Sequence, residues 1–520
     1  MAAQLRKVLS LDEKKHDGDI HETSDAPHNG DHATPTLTAG KEAELLAHRR
    51  QVEKKLKRKL DFIMLPIVLL VYVLNYIDRN SISQARLSGL ERDLKLTDVQ
   101  YQTALALLYP LYIAMQVPSN LMLAYCGRPS IYLGTFIILW GVVSGATGAV
   151  HSFHQLAAIR VILGAVEAPW FPGVLFLLSR WYTRREITVR TALFYAASIA
   201  SNAFAGLIAA GILGNMEGVR GIAAWRWLFI IMGAITVGVG IGVMFLLPDF
   251  PENTKVWFTQ EELAVAVQRL KEDVGDTGHE EPPSPFSGFI LAAKDIKVWI
   301  LTLMLFAVTL GCSFNAFFPT LVGTLGYGKI ETLLITVPPW FVAFVAVYLN
   351  ALHADRKGER FWHMAGPLVV GIIGFIIAAS TKAVGARFFG IFVMASSYAG
   401  YVIVLSWASN TIPRPAYKRA AGLGMINCLS NLANLTGSYV WPKAWGPTYW
   451  RSYTIAACAF IVCITCGVVL KLHLQRLNKE LDRTQGPPVP LPSADDEENA
   501  EPLTDEQRVE RARLHFRYLV

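Results

Sequence analysis

Four ionisable side chains stand inside otherwise apolar stretches of the 520-residue chain. Asp78 and Arg79 lie in the run "LLVYVLNYIDRNSIS" (69–83), and Arg160 and Glu167 lie within "QLAAIRVILGAVEAPWFPGVLFLL" (155–178). Charges at membrane depth are costly and usually face a cavity and pair with one another. An arginine presents a rigid fork that takes a carboxylate on two N–H groups. A carboxylate withdrawn from water holds a proton more readily, and a neighbouring guanidinium opposes that. An anion that occupies the arginine therefore changes the proton affinity of the acid, which couples anion to proton with these four groups alone. The plain alternative is a buried ion-pair network, Asp78 with Arg160 or Arg79 with Glu167, that only locks two helices together. A lock needs one pair, and apolar replacement of such a pair often costs nothing. Two acids and two arginines suit the binding role better.

The elements that would position these groups are helices. If the first run ended at Tyr76, it would fall short of the roughly 20 residues that cross a ~30 Å hydrocarbon core. Continued to Arg86 through "IDRNSISQAR", which contains no Pro or Gly, it spans with tilt. Tyr72, Asn75, Arg79 and Ser83 then share one polar stripe, with Asp78 beside it. On the second helix Arg160, Gly164 and Glu167 share a face, the two charges being two turns or roughly 10 Å apart along the axis.

The remainder of the sequence supplies more such helices. The chain is 52% hydrophobic and 17% charged, against about a quarter charged in ordinary soluble domains. Runs at 130–150, 191–216, 227–248, 298–328, 332–352, 388–413, 420–442 and 452–470 contain no Asp, Glu, Lys or Arg. Each is long enough to cross a bilayer, where unbroken apolar segments must be helical to satisfy their own backbone. The predicted fold is all-α and integral to the membrane, with about twelve spans. Six lie near 59–86, 98–124, 130–150, 155–178, 190–214 and 225–247; six more lie near 298–320, 331–352, 362–381, 387–411, 416–440 and 450–473. The domain organisation read from this is a mostly disordered cytoplasmic tail (1–58), a six-helix bundle (59–247), a polar cytoplasmic linker (248–297) with one amphipathic helical segment (261–272), a second six-helix bundle (298–474) and a disordered cytoplasmic tail (475–520).

Charge placement orients the bundles. "RRQVEKKLKRKL" (49–60) precedes the first span, and Arg184, Arg185, Arg190, Arg356, Lys357, Arg360, Arg414, Lys418 and Arg419 flank alternate loops. Both termini are thus expected on the cytoplasmic side. The net charge of +7 is explained by residues next to spans and membrane lipid, not by a nucleic-acid partner. Residues 1–50 are polar and mixed in charge, unlike a cleavable signal peptide. Cys463 and Cys466 fall in the last apolar span, where buried small thiols are the expected role. His151, His154, His353 and His363 sit at span ends without nucleophile or metal spacing. No metal site, no cofactor and no enzymatic activity are expected.

These residues resemble the major facilitator superfamily and, within it, the fungal allantoate permease branch of anion:cation symporters. The resemblance is carried by "NYIDRNSIS" (75–83), "YIAMQVPSN" (112–120), "RVILGAVEAPWFPGVLFLLSRWYTRRE" (160–186), "WRWLFIIMG" (225–233) and "LLPDFPENTKVWFTQEE" (246–262). The second half adds "ITVPPWFVAFV" (335–345), "ADRKGER" (354–360), "WASNTIPRPAYKRAAGLGMIN" (407–427) and a terminal "LTDEQ…FRYLV". The resemblance implies proton binding by Asp78 and Glu167, substrate binding by Arg79 and Arg160, and a hydrogen bond from Tyr112. It also implies a gate after the eighth span built from Asp355, Arg356, Gly358 and Arg360, with Asp355 pairing across the bundle; topology alone is the rival account of these charges. The matching loop after the second span, "SNLMLAYCGRP" (119–129), departs from the superfamily signature because it holds no acid.

The second half has no charge within its spans, so its contribution is read as neutral: Asn315, Tyr398, Trp407 and Asn410, with Asn427 and Asn431 on the polar stripe of the eleventh span. Stripes of this kind also glue helices together. The expected function is proton-coupled symport of a small organic anion, a carboxylate such as a vitamin, ureide or aromatic acid, by a monomer in the plasma membrane. Export of a secondary metabolite is the alternative from the same fold, and a nutrient receptor that binds without flux is another.

Overall fold

The computed structural model describes residues 39–254, 256–274, 287–412, 416–485 and 518–519. The expected tail up to residue 38, the Pro/Ser stretch at 275–286, the acidic stretch at 486–517 and Arg414 lie outside the described residues. Among those described there is no β-strand.

The first half comprises α1 (Ala39–Leu87), α2 (Asp98–Ala106), α3 (Leu108–Cys126), α4 (Pro129–Ala146), α5 (Phe153–Glu167), α6 (Trp170–Ser179), α7 (Arg184–Asn215) and α8 (Ala224–Leu246). Local chemistry sets their ends. Thr97 and Gln100 form a capping box at the start of α2, Gly127 ends α3 at φ +67°, and Ser152 caps α5. Pro169 divides α5 from α6 within one span, since it has no N–H to continue the ladder. The acid missing from the loop after α3 comes from elsewhere: the Asp249 carboxylate accepts the Ser130 N–H at 3.0 Å.

Two helices follow in the segment expected as a linker, α9 (Gln260–Val274) and α10 (Ser287–Lys294). The second half comprises α11 (Ile296–Gly311), α12 (Phe318–Gly323), α13 (Lys329–Ile335), α14 (Val337–Lys357), α15 (Phe361–Ser380), α16 (Val384–Ala395), α17 (Tyr398–Thr411), α18 (Ala416–Gly437) and α19 (Trp450–Gln485). Counting broken helices as single spans, each half has six. Among the described residues ten stretches are long and apolar enough to cross a membrane by length and composition; 98–126 and 416–437 are not among them. Gln116 and Asn120 in the first of these, and Asn427, Asn431 and Asn434 in the second, lower the hydropathy of helices that face the interior.

The expected boundaries at 58 and 474 do not coincide with breaks. Helix α1 is a single 49-residue helix, and its inner end buries Leu56 and Leu60. Within the segment 248–297 the amphipathic helix expected at 261–272 is present as α9, and α10 is a second helix. Helix α9 packs on α1, held by His48 to Glu261 (2.7 Å) and Lys59 to Glu262 (2.8 Å). Buried Arg269 joins it to Glu186 at 3.2 Å. Helix α10 packs instead on α18 of the other half. Between α10 and α11 burial pushes the Asp295 carboxyl up, but the Lys418 ammonium at 2.7 Å and the Lys297 N–H outweigh it and hold it below the usual carboxylate range.

Call the end of the bundle carrying Asp61, Arg190 and Arg360 inner, and the end carrying Arg86 and Lys443 outer. Polar contacts between the halves gather from mid-depth outward. Ser83 donates to the Ala316 carbonyl at 2.6 Å, Tyr439 to Thr103 at 3.0 Å, and the Lys443 N–H to Asp98 at 2.7 Å. Arg86 ties Glu91 (2.7 Å) to Asp98 (2.9 Å) within the first half, and the Lys443 ammonium meets Glu91 from the second.

Candidate functional site

A cavity of about 180 Å³ lies between the halves. The polar stripe of α1 faces it: Tyr72, Asn75, Arg79 and Ser83 all line the wall. Helix α5 reaches the same place because Gly164 lets it approach the start of α3; a Cβ there would stand 2.0 Å from the Leu108 carbonyl oxygen. That approach sets Arg160 into the cavity wall and brings Glu167 beneath Arg79.

The four charges are unequally engaged. Arg79 Nε donates to Glu167 Oε2 at 2.5 Å, and the Glu167 side chain is fully buried. The Arg79 guanidinium also lies 4.4 Å above the centre of the Tyr112 ring. Asp78 points away from the cavity, into the junction of α1, α4 and α8, where Trp140 Nε1 (2.8 Å) and Thr236 Oγ1 (3.1 Å) donate to its Oδ2. Arg160 is 2% exposed, and its Nε and Nη2 are buried without a hydrogen-bond partner. Of the two locks considered from sequence, Arg79–Glu167 forms and Asp78–Arg160 does not. A buried guanidinium with free N–H groups carries a large desolvation cost and is the open cation of the site.

Around it the walls differ by half. Tyr76, Tyr109, Tyr112 and Tyr195 line the cavity from the first half, as do Asn80 and Asn202, hydrogen-bonded to each other at 2.7 Å. Asn315, Tyr398, Tyr401, Asn427, Asn431 and Asn434 line it from the second. Asn427 donates to Gln116 of α3 at 3.0 Å, and Asn431 donates back to the Asn427 carbonyl at 2.8 Å. Formal charge is confined to one wall, and phenols and amides complete the other.

Trp407 and Asn410 do not line this cavity. On α17 the lining residues Tyr398, Tyr401, Val402 and Leu405 form one helical face, and positions 407 and 410 fall off it. Trp407 is fully buried and donates to the Leu519 carbonyl at 3.1 Å. The expected pairing of Asp355 across the bundle is not present either. Its carboxylate meets Arg360 at 2.7 Å within its own half, while Arg356 is exposed and Gly358 ends α14 at φ +64°. The short turn between α14 and α15 brings Arg360 within reach before any partner from the other half. Tyr76, Tyr109, Tyr195 and Tyr401 were not singled out from sequence, because tyrosines in apolar helices give no periodic signal distinct from core aromatics. Among the described residues no group of three or more His, Cys, Asp or Glu is placed to hold a metal ion.

The sequence profile of the Major Facilitator Superfamily matches residues 68–438. The chain is similar to the MFS-type transporter cnsO of Penicillium expansum, 32% identical over 448 residues, which cover 83% of this chain and 85% of that protein. It is similar also to the major facilitator-type transporter hxnP of Emericella nidulans, 30% identical over 447 residues, covering 84% and 88%. Among solved structures it shares its fold with the xylose transporter XylE from E. coli in a partially occluded inward open conformation. That match has a TM-score of 0.60 at 14% identity and covers 78% of this chain and 96% of that one.

Proposed function

Because the chain belongs to the Major Facilitator Superfamily, and is with it a multi-pass membrane transporter, we propose that it moves a small organic anion together with protons by alternating access. The unpartnered Arg160 guanidinium in the cavity wall carries this reading. A carboxylate seated there receives the two N–H groups that nothing else in the site accepts. Phenols and amides around it match a compact ligand bearing a ring or amide groups, in keeping with the allantoate permease branch that the motifs resemble.

Protons enter through the second arginine. While Glu167 is ionised, Arg79 is occupied. A proton on Glu167 cancels that attraction and frees Arg79 to turn toward the ligand, so that proton and anion load together. The two events favour each other, as linkage requires. Asp78 receives its donors outside the cavity and serves as a proton site that does not touch the ligand. Were both acids to load with a monoanion, each cycle would carry one net positive charge, worth ~2.3 kcal/mol per 100 mV of membrane potential.

Uptake of labelled monocarboxylates into expressing cells, at acidic and neutral external pH, tests the proposal. Arg160→Lys keeps the charge and loses the fork. Uptake should fall about 30-fold or more, since truncating a buried charge contact costs ~2–5 kcal/mol, with the protein still inserted in the plasma membrane. Full uptake by Arg160→Lys and Arg160→Gln would remove the ligand role. Outward flux from loaded cells, with no inward accumulation, would make the chain an exporter.

A further inference from the structure

We propose that the inner face of the second half carries a docking site for an extended tyrosine-anchored segment, filled by Tyr518 and Leu519 of the chain itself, which straps the ends of three helices together. Asn478 on α19 pairs with both backbone groups of Tyr518: Nδ2 donates to its carbonyl and Oδ1 accepts its N–H, each at 2.9 Å. A side-chain amide used in this way imitates the edge of a neighbouring strand and reads an extended backbone. Lys297, in the first turn of α11, donates to the Tyr518 hydroxyl at 3.1 Å and lies 4.8 Å from its ring centre. Trp407 on α17 donates its indole N–H to the Leu519 carbonyl.

Each contact serves the site as well as the segment. Trp407 is 0% exposed, so without that carbonyl its N–H would be a buried donor with no water to meet. Tyr518 packs against the apolar core, and Leu519 comes near Gly358, where α14 ends. Lys297, Trp407 and Asn478 come from helices distant in sequence but belong to one half, so the strap moves with that half and does not bridge the pair. Residues 518–519 belong to the same chain as α19, and a covalently joined ligand docks at a raised effective concentration. Docking within one molecule is therefore favoured over docking between two. This inference is independent of the transported substrate.

Two measurements on the full chain in detergent test it. Asn478→Cys with Tyr518→Cys should be bridged by a short bifunctional thiol reagent, since the amide of Asn478 separates the two Cβ atoms by more than a disulfide spans. The product should be recovered from the monomer as one cross-linked peptide by mass spectrometry. Unreacted thiols would overturn the proposal, and so would a cross-linked dimer, which would put the segment of one molecule on another. The second is a thermal-stability cycle on Asn478→Ala and Tyr518→Ala. Each should lower the melting temperature by several degrees, and the double variant should fall no further than the more affected single one, because the two residues share one interaction. Additive shifts would mean that Asn478 and Tyr518 act separately. If either alanine variant fails to fold, the cross-link still decides.

Discussion

Arg79 and Arg160 bring the same guanidinium into the same cavity and differ only in company. Glu167 holds one, while Nε and Nη2 of the other find no partner among the described residues. The difference follows from Gly164, which seats α5 so that Glu167 falls under Arg79 while Arg160, two turns earlier, is buried at the cavity wall beyond its reach. Glu167→Gln keeps the shape and discards the charge. We expect this variant to exchange preloaded anion across proteoliposome membranes at near the parental rate, while its accumulation ratio under an inward proton gradient falls to about one. Retained uphill accumulation would move the coupling proton to Asp78 alone. That the intramembrane charges gather on the first and fourth spans was legible from sequence, because charges inside apolar helices are few and conspicuous. Which acid meets which arginine was not, since that pairing depends on the relative seating of helices 88 positions apart.

Helices, as units, were legible wherever one face differed from the rest. The polar stripe of α1 is such a face, and all four of its members reach the cavity. On α17 polarity alone pointed to Trp407 and Asn410, but helical phase turns them away from the face shared by Tyr398 and Tyr401. Polarity without phase is a weak guide in a membrane, where a buried indole needs a partner as much as a binding site does. The close passage of α5 along α3 was invisible, because a glycine in an apolar run marks no particular neighbour. Gly164→Val should force these helices apart, given the 2.0 Å to Leu108 O that even a Cβ would meet. Its melting temperature in detergent should drop by several degrees, as overpacking costs ~1–3 kcal/mol, and anion binding should weaken with it. Unchanged stability and binding would show that Gly164 does not set the site.

At the scale of the whole molecule, the polar contacts joining the halves lie from mid-depth outward, with Arg86, Glu91, Asp98 and Lys443 in one ion cluster. None of these was singled out from sequence, since Lys443 and Glu91 stand 352 residues apart. Opening the outer side must break this cluster. Glu91→Gln together with Lys443→Ala should shift the population toward that state severalfold, as partly exposed pairs are worth up to about 1 kcal/mol. The readout is Cys312, which lines the cavity and is buried here. In a background with the other cysteines replaced, an impermeant thiol reagent added outside should label it severalfold faster in the double variant. Equal labelling would deny the cluster any share in closure. The same helix that brings Arg86 to this cluster also carries Lys57, paired with Glu186 at 2.6 Å at the other end. Helix α1 thus links the two ends, with Arg86 and Lys57 about 44 Å apart along its axis at 1.5 Å per residue. A rearrangement that frees Arg86 at one end is therefore carried toward Lys57 at the other, with Pro66 between them as the place where the helix can bend.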